Sequence, residues 1–317
     1  MITNDLFNEL LVKPSKSNNK LKIISGYASP AMANKHIKEI SKDISIELII
    51  GMIPFDGIGI GGHKGFKTLS TDIVNFNCNY VINPPPVHIK SYIWLENEKP
   101  KLAFTGSGNY SQNAFFGRTK ESFSFDDPNQ CNELYESLKS NTINCLDNEI
   151  EAKVTFYNEI YSTNRGREYE DSTINRDFSE RIKNKNSQIL SLLSTKDGET
   201  HKRSGLNWGQ RNGREKNQAY IPVPSNIAKS GFFPNRANHF TLITDDGESF
   251  DCVIAQDGDK AIHTTKNNSL LGAYFRERIG QPLESYIKKE HLDIYGRTDV
   301  EITRIDDETY FMDFSVK

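Results

Sequence analysis

The stretch Tyr161–Asn186, YSTNRGREYEDSTINRDFSERIKNKN, is charged, polar and poor in aliphatic side chains, and it interrupts a chain otherwise rich in short apolar runs. A segment of that kind has too little apolar surface to offset its backbone entropy by burial, so the chain on either side must fold as two bodies. With 317 residues in all, each side retains enough mass for its own core. The expected division is a first domain over 1–160, a linker over 161–185 and a second domain over 186–317.

The two sides differ in periodicity. Before the break, Leu21–Tyr27 and Ser45–Met52 are strand-like runs, and Pro30–Ser41 between them has helical spacing. Further strand-like runs lie at Asn79–Ile82, Val87–Leu95 and Lys101–Thr105, and Gln130–Leu146 reads as a helix. This alternation predicts an α/β layer domain. After the break come AYIPVP, HFTLITDDG, SFDCVIAQDG, AIHTT and VEITRIDDETYFMDFSV, with Asp246-Gly247 and Asp257-Gly258 as hairpin-type turns. Many short strands without long intervening helices predict an all-β barrel or sandwich.

Several function classes are excluded at this level. No stretch approaches the roughly 18 apolar residues of a membrane span, and the N-terminus has no basic start followed by an apolar run, so a cytoplasmic protein is expected. Cys78, Cys131, Cys145 and Cys252 are scattered, with no C-x-x-C pair, which argues against structural zinc or a disulfide framework. A formal net charge of -3 excludes a chain that coats nucleic acid indiscriminately, so any contact with DNA must come from local patches.

The chemistry concentrates in the first half. In Val87-His88-Ile89-Lys90 a nucleophile and a cation alternate, so on a strand His88 and Lys90 share a face. After the next apolar strand comes the turn Gly106-Ser107-Gly108-Asn109, and Glu121 follows in KESFSFDD, another expected strand. Lys90 and Asn109 supply donors able to hold charge that builds on an electrophile under attack. A neutral imidazole at His88 is nucleophilic near neutral pH, and Glu121 would orient its other ring nitrogen. No metal and no cofactor are required. Two decoys weigh less. His36-Ile37-Lys38 repeats H-x-K on a helix, where residues two apart diverge, and is expected to be helix surface; Gly57–Gly62 matches G-x-G-x-x-G, and that run with His63-Lys64 is expected to be a flexible loop.

At His88, Lys90, Gly106, Ser107 and Asn109 the sequence resembles the phospholipase D superfamily, whose signature is H-x-K followed by G-S-x-N. It departs where the family's H-x-K-x4-D pattern has an aspartate and this chain has Leu95. Several nucleases of that superfamily lack the aspartate and carry an acid after G-S-x-N, the place of Glu121. The resemblance implies an α/β domain with a mixed sheet flanked by helices, a covalent phosphohistidine, and two motifs per active site. This chain has one motif, which implies a homodimer with a shared site.

In the second half, Lys196–Gln218 is locally basic and mixes Lys202, Arg203, Arg211, Arg214 and Lys216 with Asn207, Trp208 and Gln210, planar donors suited to base edges. A second basic stretch, Lys260–Arg278, holds Lys266, Asn267, Asn268, Tyr274, Arg276 and Arg278. Two basic loops on one barrel are expected to grip double-stranded DNA. This half resembles a B3-like DNA-binding pseudobarrel through the SGLNWGQRNGREKNQAYIPVP and SLLGAYFRERIG segments. Together the halves resemble phospholipase-D-type Type II restriction endonucleases with an appended B3-like domain. That likeness implies a companion DNA methyltransferase and, in some relatives, a helicase-like ATPase subunit. Two other functions share parts of the pattern. A phosphodiesterase on another substrate would have no use for a basic barrel, and a DNA-binding regulator with a non-catalytic dimerisation domain would have no use for His88 and its neighbours.

Overall fold

A computed structural model of the chain describes residues 1–116, 119–157 and 187–316. The expected linker, 161–185, lies outside the described residues. The chain divides into two compact units, Met1–Asp171 and Ser172–Lys317.

The first unit is built on a seven-stranded mixed sheet. Its strands are β1 (Lys20–Ser25), β2 (Ser45–Ile50), β4 (Phe76–Val81), β5 (Ser91–Glu96), β6 (Lys99–Gly106), β7 (Phe123–Asp126) and β8 (Thr142–Asn144), in the order β7-β6-β5-β1-β2-β4-β8. A separate parallel pair joins β3 (Ile58–Gly59) to β9 (Phe156–Tyr157). Strands β1, β2 and β4 run parallel, linked by helices α1 (Pro30–Glu39) and, after the short α2 (Ile53–Asp56), α3 (Ile60–Asp72). Helices cover both faces. Met32 and Ala33 of α1 and Phe66 and Leu69 of α3 pack on one side with Leu21, Ile23 and Leu48. Cys131 and Tyr135 of a later helix, Pro128–Lys139, pack on the other with Ile24, Ile49 and Ile93. A strand covered on both faces is apolar at most positions, which is why β1 and β2 carry the apolar runs Ile23–Ile24 and Leu48–Ile50.

Two segments of this unit adopt other structure than expected. The helix expected over Gln130–Leu146 ends at Lys139, and Thr142–Asn144 pairs instead with β4 as an edge strand. The glycine-rich run expected to be a flexible loop caps and opens α3. Burial of Phe66 and Leu69 outweighs the poor helix propensity of its glycines.

The second unit is an all-strand sheet rolled into a nearly closed, B3-like pseudobarrel. Strands β10 (Ser187–Ser191), β11 (Ile221–Pro222), β12 (His239–Thr244), β13 (Ser249–Ala255), β14 (Ala261–Thr264), β15 (Asp299–Arg304) and β16 (Thr309–Asp313) take the order β10-β15-β16-β12-β13-β14-β11. Its end strands, β10 and β11, approach one another. All pairs are antiparallel except β12 with β16. Phe240, Leu242, Ile262, Val300, Ile302 and Tyr310 fill the interior, joined by Leu271 and Phe275 from the helix Ser269–Arg278. That helix overturns the reading of Lys260–Arg278 as one basic loop, because its apolar face plugs the barrel.

Candidate active site

Strand register alone gathers the chemical groups of the first unit. Ile24 faces Ser91 across β1 and β5, Ser91 faces Thr105 across β5 and β6, and Gly106 faces Phe123 across β6 and β7. The residues just beyond these pairs therefore emerge at one end of the sheet. They are Gly26 and Tyr27, His88–Lys90, Ser107–Asn109 and Glu121.

Glycines permit the close approach. A Cβ on Gly51 would lie 2.0 Å from the Val87 carbonyl oxygen, so the His88 segment can lie against β2 only because residue 51 has no side chain. A Cβ on Gly106 would lie 2.2 Å from the Ser122 carbonyl oxygen, and the Gly106 position is tight for the same reason. The Val87 N–H donates to Gly51 O at 2.9 Å and fixes the segment's entry.

His88 and Lys90 lie on the lead into β5, which begins at Ser91 and not at Val87 as expected. They still converge. The Lys90 ammonium donates to the imidazole, with Nζ 3.0 Å from Nδ1 and 2.9 Å from Nε2, and to His88 O at 2.8 Å. His88 is exposed, whereas Lys90 is 6% exposed. Partial burial, then the nearby Lys90 charge, lowers the His88 pKa, which favours the neutral ring near pH 7. Burial also lowers the Lys90 pKa, opposed by the Glu121 carboxylate.

Glu121 sits just before β7, not within it, and accepts a hydrogen bond from Ser107 Oγ. Among the described residues the only hydrogen-bond partner of the His88 ring is Lys90, so the expectation that Glu121 bonds the other ring nitrogen is corrected: its contact is with Ser107, and its charge acts on Lys90. Asn109 Oδ1 accepts from the Tyr27 N–H at 3.2 Å, which directs the Asn109 amide donors away from Tyr27. All five residues expected from the sequence, His88, Lys90, Ser107, Asn109 and Glu121, thus meet in one place.

Three further residues shape the site, and sequence reading did not single out two of them. The Tyr27 ring stands edge-on to His88, with centroids 6.2 Å apart, and its hydroxyl donates to Asp56 Oδ2 at 2.5 Å. Burial and the Asp56 bond push the Tyr27 pKa up. The third, His36, was expected on a helix surface and is instead fully buried on α1, with Nδ1 2.7 Å from the Tyr110 hydroxyl. Tyr110 in turn donates its N–H to Ser25 Oγ at 2.9 Å, so His36 braces the turn that carries Asn109. An H-x-K on a helix gives no signal for this. The informative sign was that position 36 lies four residues after buried Met32. Among the described residues no group of three or more His, Cys, Asp or Glu side chains is placed to hold a metal ion.

In the second unit the residues proposed from sequence separate into two sets. Lys202, Arg203, Arg211, Arg214, Lys216, Lys266 and Asn267 are exposed, and Gln210 and Asn268 are half-buried. Asn207, Trp208, Tyr274 and Arg276 are interior, so reading them as DNA contacts is corrected. Asn207 holds His201 O and Ile287 O. Arg276, 0% exposed, donates to Ser285 O, Gly272 O, Leu206 O and Lys216 O. Tyr274 Oη reaches Asp246 at 3.2 Å. Arg278 is tied by ion pairs to Asp245 at 2.7 Å and Asp246 at 2.9 Å. A buried arginine and a groove-reading arginine are the same letter, and only packing separates them. The exposed residues still form a surface, because Ala219 N donates to Asn268 O at 3.1 Å and so seats the 211–218 loop beside the Lys266–Asn267 turn.

No helix among the described residues is long and apolar enough to cross a membrane. Residues 4–152 match the family model of the NgoFVII restriction endonuclease N-terminal PLD (phospholipase D) domain, and residues 180–306 that of the NgoFVII C-terminal B3-like DNA-binding domain. No curated protein matches the chain. Similar solved structures include NucT from Helicobacter pylori, 19% identical, covering 44% of this chain and 91% of NucT at a TM-score of 0.34. Nuc from Salmonella typhimurium, a phospholipase D family member, is 13% identical over 43% of this chain and 88% of its own, with a TM-score of 0.32. Polyphosphate kinase from Porphyromonas gingivalis is 11% identical over 42% of this chain and 20% of its own, with a TM-score of 0.30. The two family models, which between them take in most of the chain, decide the matter: the protein belongs to the NgoFVII family of restriction endonucleases, DNA-cutting enzymes with a PLD nuclease domain followed by a B3-like DNA-binding domain.

Proposed function

We propose that the protein is a sequence-specific Type II restriction endonuclease that cuts double-stranded DNA without metal, through a covalent phosphohistidine at a site shared by two copies of the chain. The observation that carries this reading is the single exposed, deprotonation-biased imidazole of His88, flanked by the Lys90 ammonium and the Asn109 amide at one sheet end.

In the first step a ring-nitrogen lone pair of one His88 attacks phosphorus and the phosphorus–oxygen bond to the leaving strand breaks. The leaving oxygen takes a proton from His88 of the second copy. The phosphodiester anion, by its charge, raises the pKa of an adjacent imidazole and so favours one protonated ring in the pair. In the second step water attacks the phosphohistidine, gives its proton to that second imidazole, and the phosphorus–nitrogen bond breaks. Lys90 and Asn109 hold the non-bridging oxygens as charge builds, which is the work a metal does elsewhere. Each oriented acid or base is worth about 10²–10⁴-fold.

The second unit would choose the site through its exposed basic surface. A cutter of this kind needs its own genome masked, so a companion DNA methyltransferase belongs to the proposal, and a helicase-like ATPase subunit is the further partner to test. Purified protein incubated with plasmid DNA in excess EDTA should give discrete cuts that His88→Ala abolishes. Cutting that appears only on addition of a divalent metal would overturn the covalent scheme.

A further inference from the structure

Apart from the barrel core, Trp208, Tyr220 and Ala261 form a small apolar cluster of their own. The His263 ring joins it, 4.8 Å from Trp208 and 5.5 Å from Tyr220 between centroids. On this ledge lies the exposed Arg214, its guanidinium carbon 3.8 Å from the centre of the Trp208 ring. Arg214 Nη1 also donates to Gln218 Oε1 at 2.9 Å. A guanidinium has five donors in one plane, so a stack on its face and one edge bond leave other N–H groups directed outward.

The loop that carries Arg214 is built to stay in place. Gly209 N donates to Gln218 O at 2.7 Å and closes its neck, where a Cβ on Gly209 would lie 2.3 Å from Glu215 O. From beneath, the buried Arg276 holds Lys216 O and Leu206 O. Gly272 meets Asn217 so closely that a Cβ there would lie 1.6 Å from Asn217 O. The acid of the loop, Glu215, accepts from Ser269 Oγ at 2.8 Å and is thereby turned toward the helix. An arginine that merely neutralises a phosphate has no need of a fixed plane. Bidentate recognition of two acceptors on a base edge does need one.

We propose that Arg214 is a base-reading arginine, held ready for the N7 and O6 acceptors of a guanine in the major groove, with Trp208 and Gln218 as its positioning residues. This rests on the reading of the second unit as the sequence-reading domain. Pre-positioning reduces the side-chain entropy lost on binding, so the contact discriminates more than a free surface arginine would.

The test uses the full chain and a pool of random-sequence DNA duplexes at fixed salt. The wild type should enrich a consensus. Arg214→Ala should lose one G·C pair from it and bind the wild-type consensus about 5- to 150-fold more weakly, with a smaller change on an unrelated duplex. Arg214→Lys keeps the charge, so the salt slope should hold while the same G·C pair is lost. Trp208→Leu should weaken preference at that position alone, and Gln218→Ala, which leaves the aromatic ledge intact, should do likewise if Trp208→Leu does not fold. Retention of the full consensus by Arg214→Lys, or an equal loss on consensus and unrelated duplexes by Arg214→Ala, overturns the assignment while leaving the domain a reader. A wild-type chain that enriches no consensus overturns the reading of the domain itself, and the Arg214 assignment with it.

Discussion

Replacing His36 by glutamine should abolish a specific part of the protein's acid sensitivity. In the folded chain His36 is fully buried and desolvation pushes its pKa down to about 3 from the ordinary 6.5. Its Nδ1 meets the Tyr110 hydroxyl, and Nε2 has no hydrogen-bond partner, so nothing inside compensates a charge on the ring. An unfolded chain protonates this histidine below pH 6.5 while the folded chain does not until about pH 3. Stability from this residue is therefore full above pH 6.5 and falls as the pH drops through that window. Each pH unit is worth about 1.4 kcal/mol, so the first unit should lose about 2 kcal/mol between pH 7 and pH 5 through His36 alone. Glutamine keeps a polar group opposite Tyr110 and cannot titrate. Opening free energies of the β1 and β2 amides, from hydrogen exchange at both pH values, isolate the effect, since every other titrating group cancels between the two proteins. The same pH dependence in wild type and His36→Gln would refute the burial argument and with it the role of α1 in bracing the Asn109 turn.

Three further predictions concern the site directly. The acid limb of the kcat/KM profile for DNA cleavage should lie below pH 6.5, because burial and Lys90 both lower the His88 pKa. Lys90→Met should move that limb upward and cut the rate by about 10²–10³-fold, and a limb that stays in place would show that Lys90 does not act on His88. Gly51→Ala must displace the Val87–His88 segment, given a Cβ 2.0 Å from Val87 O. Plasmid cleavage should then fall by about 10²-fold with DNA retention unchanged, and wild-type cleavage by this variant would contradict the packing account.

The parts of this molecule legible in its sequence were those whose signal is local. His88, Lys90, Ser107 and Asn109 stand close to one another along the chain, and their spacing around an apolar strand carries the site with it. The two-unit division follows from the composition of Tyr161–Asn186, and the β1 and β2 runs follow from burial on both faces. What stayed hidden depends on contacts between distant segments. Tyr27 and Asp56 reach the site only because β5 lies antiparallel to β1, and His36 is buried only because α1 packs beneath Tyr110. Among the second unit's basic residues, charge alone could not separate Arg214, which faces solvent, from Arg276, which is spent on four carbonyls inside.

Subunit mixing probes the proposed shared site most directly. If two copies pair as proposed, wild-type and His88→Ala chains co-refolded in varied ratios should assort at random, and EDTA-resistant double-strand cleavage is measured against the wild-type fraction. A catalytic centre assembled from one imidazole of each copy predicts activity rising as the square of that fraction. A straight line through the origin would mean that each chain cuts by itself, and the two-histidine mechanism would be wrong.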